Sequence, residues 1–177
     1  FEVVLGYCDL VGILLHAAGA VATATGWYSG LRQLDLRRFL PSRGGRQPRP
    51  RYTSTPLLNS ILINPELQAI SYLRRLDTVL SGTELDDALR AGPTGASWSR
   101  GDAFMQHVSA LSSVIRRVRA QPGPIERLEY CQALIQEAVG LYAQLGRAGI
   151  PFEPSSGPRH LPVWRAAIIG LRQEMGL

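Results

Sequence analysis

Apolar positions along this chain fall into two regimes. From Val3 to Leu31 they run almost unbroken (VVLGYCDLVGILLHAAGAVATATGWYSGL), and the 22 residues between Asp9 and Arg32 carry no formal charge. As one helix these would be about 33 Å long at roughly 1.5 Å per residue, against about 30 Å for a bilayer's hydrocarbon core. From Thr55 onward apolar residues instead recur every three or four positions, the period of amphipathic helices.

The second regime predicts a succession of helices. Thr55-Pro56 supplies a cap and first-turn proline for LLNSILI, and Asn64-Pro65-Glu66 repeats the signal. Leu67, Ile70, Leu73, Leu76 and Leu80 then share a face. Thr83 to Arg90 makes a short helix, with Asp86 three residues after Thr83 in a capping position. Ser99 caps a helix over about 101–120 whose stripe is Phe104, Val108, Leu111, Ile115 and Val118. A helix over about 124–148 buries Leu128, Cys131, Ile135, Ala138, Tyr142 and Leu145, and a last one from Pro162 turns Trp164, Ile168, Leu171 and Met175 inward.

The expectation is an all-α chain with one N-terminal transmembrane helix followed by a small bundle of four or five helices. Residues 1–40 are the anchor helix with its basic inner flank, 41–55 an Arg/Pro/Gly-rich linker, and 56–177 a helical soluble domain. Tyr7, Trp27 and Tyr28 fall where aromatic rings anchor a helix at the headgroup level. Gly12, His16, Gly19, Ala20, Thr23 and Gly26 form a face of small and polar residues suited to packing on another membrane helix.

Charge sharpens this picture. All 19 basic residues are arginine, so Schiff-base and P-loop lysine chemistry is excluded. Residues 32–51 hold seven of them, Arg32, Arg37, Arg38, Arg43, Arg46, Arg49 and Arg51, against Asp35 alone, for a net +6. The 126 residues after position 51 carry only +1. Basic character is thus local, beside the apolar stretch, which suits an anionic lipid such as cardiolipin or a protein partner better than a nucleic acid. By the positive-inside rule the C-terminal domain faces the matrix or stroma. The start at Phe1 instead of Met fits removal of a targeting peptide, and a mitochondrial inner membrane is favoured over a thylakoid.

Chemistry-bearing residues are few. His16 inside the apolar run could ligate haem iron or chlorophyll magnesium, although a structural hydrogen bond to a neighbouring helix is the favoured reading. Cys8 and Cys131 have no CxxC or Cys/His spacing, which argues against a disulfide framework and a structural zinc site. His107 and His160 lack partners at catalytic spacing, and no GxSxG, HExxH, GxGxxG, P-loop or EF-hand pattern occurs. The expected role is a non-catalytic accessory subunit that assembles, stabilises or bridges a membrane complex, with electron-transport machinery as the setting. Two alternatives stand beside it: a soluble helical interaction or RNA-binding protein whose residues 3–31 are its buried core helix, and a cofactor-bearing subunit using His16.

Overall fold

The computed structural model describes residues 2–26, 49–92 and 98–176. The N-terminal stretch folds as a miniature β-α-β unit: β1 (Val4–Leu5), α1 (Gly12–Ala17) and β2 (Ala22–Thr23). The strands pair parallel, Val4 opposite Ala22 and Leu5 opposite Thr23. Next comes an antiparallel hairpin of β3 (Arg51–Ser54) and β4 (Asn59–Leu62), with Tyr52 opposite Ile61 and Thr53 opposite Ser60. Then follow α2 (Gln68–Tyr72), α3 (Asp86–Arg90) and three longer helices, α4 (Arg100–Arg119), α5 (Pro124–Arg147) and α6 (Leu161–Glu174).

The expected transmembrane helix is not formed, and the all-α class is corrected to a mostly helical fold with two small sheets. No helix among the described residues is long and apolar enough to cross a membrane. The apolar run is broken at Gly19, in spite of the alanines around it. Gly19 turns the chain at φ 104°, and the β-branched Val21 and Thr23 favour extension after it. Leu10, Ile13 and Ala17 are instead buried in one core with residues of α4 and α5. Three residues expected on a packing face between membrane helices meet within the unit: a Cβ on Gly12 would meet Thr23 Oγ1 at 3.2 Å, and His16 Nε2 lies 3.2 Å from that same oxygen, whereas a Cβ on Gly19 would meet nothing within 4 Å. Trp27 and Tyr28 fall outside the described residues.

The helices α4 to α6 follow the sequence pattern more closely. Ser99 and Asp102 form a reciprocal capping box at the start of α4. All six residues expected on the inner side of α5 are buried. On α4 the buried face is shifted from the expected stripe: Gln106, His107, Ala110 and Val114 go inside, while Phe104, Val108 and Ile115 stay partly exposed. On α6, Ile168 is buried and Met175 is exposed. The largest local departure is the hairpin, where the proline turn expected to open a helix instead links two strands through Thr55–Leu58.

Candidate functional site

The hairpin sits in the protein interior, and its own ladder leaves one edge of β3 unpaired. Side chains complete that edge. Gln106 acts as a surrogate strand: its Oε1 accepts from the Thr53 N–H at 2.9 Å and its Nε2 donates to the Thr53 carbonyl at 2.8 Å. Ser81 Oγ donates to the same carbonyl and accepts from the Thr55 N–H, and Trp98 Nε1 donates to the Arg51 carbonyl. A buried N–H or C=O left alone costs about 1–3 kcal/mol, so these bonds are a condition of burying the strand.

Two buried carboxylates are treated the same way. Asp86 accepts from Tyr52 Oη (2.9 Å), Thr83 Oγ1 (2.6 Å) and the N–H groups of Gly82 and Thr83. Glu66 accepts from the backbone N–H of Leu62 and of Glu153, both at 2.7 Å, and so ties β4 to the loop before α6. Burial raises the Tyr52 and Tyr142 hydroxyls far above their ordinary range, so both act only as hydrogen-bonding groups.

Around His107 the arrangement superficially matches a nucleophilic triad. Asp9 Oδ1 lies 3.7 Å from His107 Nε2, His107 Nδ1 lies 2.9 Å from Thr53 Oγ1, and Thr53 Oγ1 lies 3.2 Å from Ser60 Oγ. Carboxylate, imidazole and hydroxyl follow one another, but the ring nitrogens are exchanged relative to a hydrolase triad, in which the carboxylate takes Nδ1 and the hydroxyl Nε2. Access decides against catalysis by this set: Thr53 is 2% exposed and His107 fully buried, so no substrate carbonyl reaches the hydroxyl in this conformation. With Thr25 Oγ1 at 3.3 Å from His107 Nε2, the network ties residues 9 and 25 of the N-terminal unit to β3 and α4. His107 meets Thr53 across 54 residues of sequence, a spacing no local motif search covers. A signal was available in the polar pair Gln106-His107, which sits between the apolar Met105 and Val108.

In front of this core lies an open cleft of about 300 Å³, walled by Asp9 to Val11, the hairpin turn at Leu58–Asn59, the loop at Pro154–Gly157 and the start of α6. Leu58 holds φ 50° at the turn, and its carbonyl receives His160 Nε2 at 2.9 Å. Burial pushes His160 below its ordinary value of 6.5, against the opposing pull of the Leu58 and Gly157 carbonyls. Its ring meets Trp164 edge-on at 4.8 Å between centroids. Asn59 is fully used: its Nδ2 donates to Tyr142 Oη and the Gly157 carbonyl, and its Oδ1 accepts from the Ser60 N–H.

The arginine-rich segment enters the described fold beside this cleft. Arg49 pairs with Glu153, which lowers the Glu153 carboxyl and raises the guanidinium. Arg51 is spent on the protein itself: Nη1 donates to the Ser60 carbonyl at 2.6 Å and to Ser156 Oγ at 3.1 Å, and Nη2 donates to Ser155 Oγ at 2.6 Å. Arg32, Arg37, Arg38, Arg43 and Arg46 lie outside the described residues. His16, the candidate cofactor ligand, is 4% exposed with Nε2 directed at Thr23, and burial lowers its pKa. Tyr7 is exposed at the end of β1. Among the described residues no group of three or more His, Cys, Asp or Glu is placed to hold a metal ion. No family model, curated protein or solved structure matches the chain.

Proposed function

We propose that this protein is a non-catalytic interaction subunit that docks on an acidic surface of a protein partner through its arginine-rich segment. The observation that carries this reading is the separation of charge together with the place where the segment joins the fold. Residues 32–51 hold a net +6 while the 126 residues after them hold +1. The C-terminal end of that segment is fixed by Arg49 on Glu153 and by Arg51 on Ser155 and Ser156, next to an open cleft. The burial of Thr53 and His107 favours a structural role for the most enzyme-like side chains. The single-pass anchor is not part of this reading, since no helix among the described residues is long and apolar enough to cross a membrane.

The test is a variant with Arg32, Arg37, Arg38, Arg43 and Arg46 all changed to Gln, compared with the parent for binding to poly-glutamate by calorimetry from low to high salt. The parent binds with a steep salt dependence and the variant does not. Equal binding by both would sink the reading, as would binding of RNA in clear preference to the acidic polypeptide.

A further inference from the structure

Two donors of the cleft beside the arginine segment have no acceptor among the described residues. Arg159 lines it, is exposed, and makes no ion pair or hydrogen bond with a described residue. Ser155 accepts from Arg51 at 2.6 Å, and its own hydroxyl proton has no acceptor among the described residues. Of the other polar side chains of the wall, Asn59 makes three hydrogen bonds and His160 is turned to the Leu58 carbonyl, while Asp9 Oδ1 lies 3.7 Å from His107 Nε2. Arg159 and Ser155 therefore lack an acceptor among the described residues, and a planar fork of guanidinium donors fits a carboxylate.

Two further features narrow the class. Asp9 is part of the same wall, so a doubly charged phosphate group would meet more repulsion than a singly charged carboxylate. Leu10, Pro154 and Trp164 supply an apolar surface next to the donors. A cleft open on one side encloses too little of a free small molecule to hold it by burial, whereas an extended segment is held by successive contacts.

We infer that this cleft receives a short peptide segment of the protein partner, seating a Glu or Asp carboxylate on Arg159 and Ser155 and a neighbouring apolar side chain against Trp164. This rests on the interaction reading above and names the contact at which the partner is recognised. The arginine segment then acts as the long-range attractor and the cleft as the point of fit.

The experiment uses the full chain and a labelled peptide of alternating glutamate and leucine, with the matched glutamine/leucine peptide as control. Binding is followed by anisotropy, and the site is located by amide and indole nitrogen–proton shifts. The acidic peptide binds, the glutamine peptide and the Arg159→Gln protein each bind about tenfold more weakly, and Arg159→Lys recovers part of the loss. Shifts concentrate at Leu10, Val11, Ser155 and the Trp164 indole. Arg159 is exposed, so the variant keeps the parent's melting temperature. Equal affinity of Arg159→Gln and parent, or shifts lying elsewhere, overturns the assignment. So does displacement of the peptide by inorganic phosphate, or by phosphatidylglycerol vesicles in preference to neutral ones. If the five-arginine variant loses binding while Arg159→Gln does not, the cleft assignment fails and the interaction reading stands. If neither loses binding, both fail.

Discussion

The β1–β2 and β3–β4 pairs are each only two strands wide, and they are held in opposite ways. The β1–β2 pair is parallel and lies at the surface, with Val4 66% and Tyr7 53% exposed. It persists because α1, the link between its strands, buries Leu10, Ile13 and Ala17 among residues of α4 and α5. The β3–β4 pair is antiparallel and interior, and its open edge is completed by Gln106, Ser81 and Trp98. Two-stranded sheets are marginal alone. One is rescued here by apolar burial of its connection and the other by polar side chains standing in for a third strand.

That contrast can be broken at several points. The largest effect belongs to Asp86→Ala, which leaves the Tyr52 hydroxyl, Thr83 hydroxyl and two N–H groups without their acceptor. We expect a loss of about 3 kcal/mol or more, measured by urea unfolding; a smaller change would mean that the hairpin does not depend on its polar frame. Ile13→Ala follows, at about 2–4 kcal/mol in the same assay, because Ile13 is 1% exposed in the shared core. A negligible cost there would show α1 to be peripheral, and with it the whole N-terminal unit.

Gln106→Ala tests the surrogate strand directly. It costs about 1–3 kcal/mol and accelerates hydrogen exchange at the Thr53 N–H, since that donor loses its 2.9 Å acceptor. An unchanged exchange rate would remove Gln106 from the account. Acidity gives a smaller effect with a defined sign. His16 and His160 both have pKa values lowered below 6.5, chiefly by burial. Below pH 6.5 the unfolded chain binds protons that the folded chain refuses, so stability is full above that pH and falls as the pH drops towards the folded values. His16→Gln flattens this slope in a pH series of unfolding midpoints, and an identical slope would place the sensitivity elsewhere. The smallest effect is Arg49→Gln, which breaks an exposed ion pair with Glu153 and leaves the melting temperature within error.

The same contrast explains how much was legible in the residues. Ser99 was readable as a cap because the N–H it accepts from lies three residues on, whereas the helix expected from Thr83 begins only at Asp86, whose carboxylate accepts from the N–H groups of Gly82 and Thr83. The hairpin was hidden because Thr55-Pro56 is as good a helix opener as a turn, and the groups that select the strand come from Ser81, Trp98 and Gln106. Within the candidate site Arg49 and Arg51 were singled out for charge, yet Arg51 proves to be a structural brace. Arg159, Ser155 and Trp164 were not assigned to any site, because a cleft built from four separated segments leaves no local pattern.

The helices α4 and α5 are what the residues determined by themselves: their hydrogen bonds close within four positions, and on α5 the 3.6-residue period marks the buried side without outside help. Tertiary structure alone decided the fate of Val3 to Gly26. So apolar a run satisfies a bilayer and a protein core equally well in its apolar surface. The choice rests on whether distant residues such as Val114 and Cys131 offer a place to bury it in short pieces.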